Sequence, residues 1–168
     1  DFVYAGFTAE AKPYPDFLKA IKTPYPDMAN FASLHIAAKR AYAQAGITNP
    51  RKEIDLMELF TPYDGVELCL YEDLGLCGRG EGKYMIREGV VEYGGECPAQ
   101  LSGGLTATGH PVGATSLYYT TFLYWQLAGK IKEKCGPGGL QVPGARRALI
   151  TGHGGTGCQG GVIIFERD

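Results

Sequence analysis

Ser102-Gly103-Gly104-Leu105-Thr106-Ala107-Thr108-Gly109-His110-Pro111-Val112-Gly113-Ala114-Thr115 decides the reading of this chain. Its paired and single glycines suit turns with φ > 0, or backbone that must approach a ligand closely. Gln100 to Pro111 therefore read as a loop, with Pro111 suited to the first position of a helix. That arrangement sets the His110 imidazole beside a helix N-terminus. Oriented N–H groups there favour an anion such as a thiolate, an oxyanion or a phosphate. A tight loop whose histidine bonds only to backbone meets the same spacing. The following residues, Val112 to Ile131, read as a helix. Ala114, Leu117, Tyr118, Thr121, Leu123, Tyr124, Trp125 and Ala128 leave it few polar positions, so burial on most sides is expected.

Downstream, Cys135 to Pro143 is a Gly/Pro loop, and Arg147–Thr151 and Gly161–Phe165 read as two closing strands. Between them stands His153-Gly154-Gly155-Thr156-Gly157-Cys158. A histidine at a strand end next to glycines can emerge where a substrate lies against backbone; a plain turn is the alternative. Upstream, Phe2–Phe7 reads as a strand, and the four prolines between residues 11 and 27 mark a surface segment. Asp27 is placed to cap a helix from Met28 to Ala45, which Gly46 stops. Ile54–Phe60 alternates as a strand, and Asp64 opens a helix from Gly65 to Leu74 that ends at Gly75. Tyr84–Ile86 and Val90–Tyr93 suggest a small hairpin. The order is β-α-β-α-(hairpin)-α-β-β, which calls for right-handed crossovers, a largely parallel sheet and an antiparallel edge.

Composition narrows the function. The chain has 168 residues, 45% hydrophobic and 20% charged, with a formal net charge of −2. One globular domain without the basic footprint of a nucleic-acid binder follows. No apolar run reaches the roughly 18 residues of a membrane span, and the first residues lack a signal-peptide layout. Five cysteines, with no C-x-x-C pair, argue against a disulfide framework and a zinc site, and a reducing cytoplasm is the expected compartment. Glycine is the outlier: 25 residues, seventeen of them after residue 90, against a usual ~7%. The chemistry is expected in that C-terminal part.

Each candidate has a plainer reading beside it. His35 lies among apolar helix positions and reads as a packed histidine. Cys69 reads as structural, and Cys77, Cys97 and Cys135 as simple thiols. Cys158 sits where a low-pKa thiol can serve chemistry, or is a turn cysteine before an edge strand. Tyr63, beside Pro62 and ahead of a helix, is a candidate for a phenol held in a cleft. No Gly-Lys-[Ser/Thr] follows the glycines, which disfavours a phosphate loop. Two histidine-bearing glycine loops, each at the edge of a sheet element, suit acid/base chemistry.

The stretch from Ser102 to Thr115 resembles the N-x-x-G-G-x-x-x-x-G-H-P-x-G-A-[ST]-G signature of thiolases. Ala43–Ile47, Glu53–Leu59 and Glu67–Gly75 are similar to the branch of sterol-carrier-protein thiolases and archaeal acetoacetyl-CoA thiolases. The resemblance covers essentially the whole chain, residues 1–168, but only the C-terminal half of the family's fold. It implies an α/β, βαβαβαββ half fold with a mixed five-stranded sheet covered by helices. It also implies that His110 activates a nucleophilic cysteine belonging to an absent N-terminal half. In the register that aligns Arg147–Leu149, His153 takes the place of the second acid/base; a shifted register with an insertion gives that place to Cys158. Tyr63 joins these as a candidate catalytic residue, and Ser102, Gly103, Gly104, Gly109, Gly154 and Gly155 are implied to line the acyl-CoA channel.

Departures from the pattern matter. Phe60-Thr61-Pro62-Tyr63 stands where the family has N-E-A-F, or H-D-C-F in this branch, so Phe60 replaces the Asn or His of an oxyanion hole. A phenyl ring cannot donate that hydrogen bond, and losing one such donor costs on the order of 10²–10³ in rate. Gln100 replaces the family Asn, and Ser116 the last Gly. The resemblance implies CoA-dependent cleavage or formation of a 3-oxoacyl-CoA, with coenzyme A as cosubstrate, no covalent cofactor and no metal. A thiolase-like retro-aldolase acting on a β-hydroxyacyl-CoA and a non-catalytic scaffold are the alternatives. Implied partners are the N-terminal half, a thiolase-type dimer or higher oligomer, and an OB-fold zinc-ribbon protein.

Overall fold

A computed structural model describes residues 31–154, 157 and 159–168. The expected strand at residues 2–7, the surface segment, Asp27, Met28, Gly155 and Cys158 lie outside the described residues.

Helix α1 (Ala32–Ala45) ends where Gly46 adopts φ 67°, the left-handed turn that a residue without Cβ takes at little cost. A single turn, α2 (Pro50–Glu53), leads into strand β1 (Leu56–Glu58). Helix α3 (Asp64–Asp73), the short helices α4 (Gly82–Arg87) and α5 (Gly104–Thr108), helix α6 (Thr115–Leu127) and the turn α7 (Ile131–Cys135) follow. Strands β2 (Arg147–Gly154) and β3 (Gln159–Glu166) close the described fold. Among the described residues the sheet has three strands in the order β1-β2-β3. β1 runs parallel to β2 (Met57 opposite Leu149) and β3 antiparallel (Ile150 opposite Ile163). Ala99 adds a single parallel bridge to Met57 on the outer side of β1.

Alternation along the strands assigns the layers. Met57 and Leu149 face α1, α3 and α4, joining Leu34, Ala38, Leu70, Tyr71 and Met85 in one buried cluster. Leu56, Ala148 and Ile150 face α6 and pack on Tyr119, Phe122, Leu123 and Ile131. The result is a mixed α/β sandwich with the sheet between two helical layers.

Several expectations are corrected. The strand expected over Ile54–Phe60 is three residues long because Gln100 takes over the backbone of Leu59. The proposed hairpin is helix α4 and a set of turns. Of Tyr84, Met85 and Ile86 only Met85 points inward, and Val90 N–H returns to the Met85 carbonyl. The loop before Pro111 contains α5. The long helix expected from Val112 breaks at Gly129, φ 68°, and resumes as α7. Nor is α6 buried on most sides: Leu117 is 69% and Tyr124 58% exposed.

Candidate functional site

Parallel strands β1 and β2 both end on one edge of the sheet, the edge where open α/β folds place their ligands. Phe60 follows β1 there, and His153 stands next to the end of β2. His110 arrives from the loop between α5 and α6. The Phe60 ring brings the histidines together, meeting His110 edge-on at 5.1 Å between centroids and His153 edge-on at 4.8 Å. Phe31, at the start of α1, stacks on His153 at 4.7 Å and 20°. Beside His153 opens a cleft of about 440 Å³ lined by Ser116, Gly152, Gly154, Gln159, Gly160 and Gly161. Its floor is mostly backbone, which leaves room for a thin substrate arm to lie against it.

Phe60 is held from three sides. Its N–H donates to Thr151 Oγ1 at 2.9 Å, a bond between the ends of β1 and β2. Gln100 brackets its neighbours: Leu59 N–H donates to Gln100 Oε1 at 3.0 Å, while Gln100 Nε2 donates to Leu59 O at 3.0 Å and to Thr61 Oγ1 at 2.8 Å. Gln100 reaches this position from the left-handed region, φ 57°. Gly104 passes close to that side chain with its own φ of 60°, and an added Cβ would lie 3.1 Å from Gln100 Nε2.

A buried carboxylate ties the His110 loop to the sheet. Glu58, fully buried on β1, accepts from Ser102 N–H at 2.9 Å and from Ser102 Oγ at 2.6 Å. Burial pushes the Glu58 carboxyl up to about 7, against the two Ser102 bonds that favour its ionised form. The Tyr119 hydroxyl on the same side of the sheet is buried with no hydrogen-bond partner among the described residues.

His153 is half-buried, and burial lowers its pKa to about 4. The ring is therefore neutral at neutral pH and able to accept a proton. Its Nδ1 is buried with no hydrogen-bond partner among the described residues. His110 is exposed, and its Nδ1 lies 3.5 Å from Thr115 Oγ1 in the first turn of α6. Together the site offers one exposed and one sheltered imidazole across an apolar ring.

Of the sequence candidates, His110, His153 and Gly154 meet at this edge, and Gly109 leads into it with φ 73°. Ser102 turns inward to Glu58, and Gly103 caps α5 at φ 90°. Tyr63 was expected in a cleft; it is 76% exposed at the start of α3, where only its backbone takes part in the helix terminus. His35 is half-buried with Nδ1 3.0 Å from the Asp73 carbonyl. Sequence reasoning marked Gln100 as standing at the family Asn without giving it a contact, and missed Glu58, Thr151 and Phe31. Among these three a signal existed for Glu58 alone: strand alternation from Leu56 puts its carboxylate on a core face.

A mixed α/β layer with a glycine-framed histidine loop before one helix agrees with the resemblance read from the sequence. The chain belongs to the thiolase C-terminal domain-like family, whose sequence model matches residues 20–167. It is 38% identical over 137 residues to human sterol carrier protein 2, covering 82% of this chain and 23% of that protein. It is 36% identical to an acetyl-CoA acetyltransferase of Methanothermobacter thermautotrophicus, covering 78% and 32%. It is 34% identical to the benzoylsuccinyl-CoA thiolase subunit BbsB of Thauera aromatica, covering 73% and 30%. A solved structure, the Ltp2-ChsH2(DUF35) aldolase, superposes with a TM-score of 0.60 at 25% identity, over 85% of this chain and 34% of that one. The chain thus spans between about a fifth and a third of the length of the curated relatives it matches.

Proposed function

We propose that residues 1–168 form the C-terminal half of a thiolase-like acyltransferase that cleaves or forms a 3-oxoacyl-CoA with coenzyme A as cosubstrate. The observation that carries this reading is the pair of histidines, His110 and His153, on the edges of one phenyl ring at the carboxyl ends of the parallel strands. In cleavage, a cysteine thiolate of an N-terminal half attacks the 3-keto carbonyl, and His110 holds the proton that the thiol gave up. The bond between the α- and β-carbons breaks, and the enolate of the shorter acyl-CoA takes its proton from the His110 imidazolium as it leaves. CoA thiol then attacks the acyl-enzyme, its proton passing to the neutral imidazole of His153 and on to the cysteine sulfur that is released; Cys158 is the alternative carrier of this second proton. Ser102, Gly103, Gly104, Gly109, Gly154 and Gly155 belong to the loops that frame the acyl-CoA arm. Tyr63, exposed in this half, acts only where the other half covers it.

The same reading implies a cytoplasmic assembly with the N-terminal half, as a dimer or higher oligomer. The exposed Leu117 and Tyr124 of α6 support a covered face. An OB-fold zinc-ribbon partner finds support in a relative named as a subunit and in a structural neighbour whose name carries a second component.

Phe60 and the aldolase neighbour favour one second reading, retro-aldol cleavage of a β-hydroxyacyl-CoA. The purified assembly is to be offered a 3-oxoacyl-CoA with CoA and, separately, a β-hydroxyacyl-CoA without it. Two acyl-CoA products from the first are expected. A free aldehyde or ketone from the second, with no thiolysis in the first, installs the aldolase; silence in both leaves a scaffold.

A further inference from the structure

Among the described residues the buried Nδ1 of His153 has no hydrogen-bond partner, the usual device that fixes a working imidazole. The groups that face the ring are instead Phe31 from the start of α1, stacked at 4.7 Å, and Phe60 beyond the end of β1, edge-on at 4.8 Å, with His110 across Phe60. The ring is oriented by shape.

We propose that the N-terminal turn of α1 is the positioning element of this site: Phe31 and Ser33, anchored by Asp73, fix the orientation of His153 and hold Gly157 and Gly160 beside it. Independent contacts converge on this turn. Ser33, fully buried, donates from Oγ to the Gly157 carbonyl at 2.7 Å across 124 residues of sequence. Gly157, at φ 83°, lies against the Phe31 ring. Gly160 at the start of β3 passes so close to α1 that a Cβ would stand 2.7 Å from Leu34 N and 2.8 Å from the Ser33 carbonyl carbon. Phe31 is itself tied down, its N–H donating to Asp73 Oδ2 at 2.8 Å, with Asp73 wholly buried at the end of α3. One turn of helix thus touches His153, Gly157 and Gly160 together. Phe31 and Ser33 are positioning residues, acting through His153 rather than on substrate.

The proposal rests on the acid/base role of His153 given above, and its test separates the two. In the intact assembly, Phe31→Leu, Phe31→Tyr and Ser33→Ala are compared with wild type. The ring of His153, labelled with ¹³C and assigned with His153→Gln, is titrated by NMR, and kcat and KM are measured on the active substrate. Phe31→Leu is expected to raise the His153 midpoint from about 4 by at least one unit, because the sheltering ring is gone. It lowers kcat at least tenfold and moves KM by less than about threefold, since substrate binding is untouched. Phe31→Tyr, which keeps the ring, restores both. Ser33→Ala, the gentler variant, lowers kcat in the same way. Unchanged titration and kcat in Phe31→Leu and Ser33→Ala overturn the proposal, as does a Phe31→Tyr variant no better than Phe31→Leu. If no substrate turns over, the acyl-transfer reading fails, and the titration still decides whether this turn sets the environment of His153.

Discussion

Replacing Glu58 by Gln separates the charge of the buried carboxyl from its shape. In the folded chain both carboxylate oxygens accept from Ser102, and burial lifts the group from an ordinary 4.5 to about 7. A carboxyl raised on folding contributes stability that is complete below its unfolded pKa and lost as pH climbs through the folded one. Between about pH 5 and pH 8 the wild type therefore loses about 2–3 kcal/mol from this group alone, at about 1.36 kcal/mol for each pH unit between the two pKa values, less the part already lost at pH 5. The amide that Glu58→Gln puts there has no proton to lose. Its Oε1 still accepts from the Ser102 N–H, and the Ser102 hydroxyl can rotate to accept from Nε2. Urea denaturation of wild type and Glu58→Gln at about pH 5, 6, 7 and 8 gives the difference in stability at each pH, in which the contributions of Asp73 and His153 cancel. That difference is expected to move by about 2–3 kcal/mol in favour of Glu58→Gln as the pH rises, with the denaturant slope unchanged. A difference flat to within about 0.5 kcal/mol refutes the reasoning, because the buried carboxyl then carries no charge cost.

Three further outcomes follow from the geometry. Phe60→His restores a hydrogen-bond donor between His110 and His153 and is expected to raise CoA-dependent cleavage of a 3-oxoacyl-CoA about tenfold or more; under the aldolase reading it leaves thiolysis absent, which a steady-state assay on both substrates reads directly. Gln100→Ala removes the side chain that satisfies both polar groups of Leu59 and is expected to cost about 1–3 kcal/mol in urea denaturation, with a parallel fall in kcat. Leu117→Glu, on the exposed face of α6, is expected to leave the chain's own stability within about 0.5 kcal/mol and to release it from its assembly in analytical ultracentrifugation; an unchanged assembly removes that face from the interface.

Much of the site was legible because its parts are local. His110 follows Gly109, which has a positive φ, His153 stands between glycines at a strand end, and the strands Arg147–Thr151 and Gly161–Phe165 are written in short runs of aliphatic and β-branched residues. The end of α1 was visible in Gly46. What failed was long-range. Nothing local in Tyr84-Met85-Ile86 distinguishes a strand from a helix; the choice is made by the buried seat that Met85 finds in the core. The apolar stretch after Val112 implied a buried helix, yet Leu117 is 69% and Tyr124 58% exposed, so hydrophobicity along this stretch is not a report of burial in this core. The supports of the site lie far apart in sequence: 44 residues from Glu58 to Ser102, 41 from Leu59 to Gln100 and 91 from Phe60 to Thr151. A pattern read along the chain cannot see such pairs, and the tertiary fold assembles them.

The most direct test of the central claim is where the acyl group goes. The purified assembly, given a 3-oxoacyl-CoA without free CoA and quenched in acid, is digested and its peptides weighed. The account predicts an acyl thioester on a cysteine of an N-terminal half, within a Cys-x-Ser segment, no adduct on this chain, and loss of the adduct in His110→Asn by a factor on the order of 10²–10⁴. An acyl group on a cysteine of this chain, or cleavage with no acyl-enzyme at all, contradicts it.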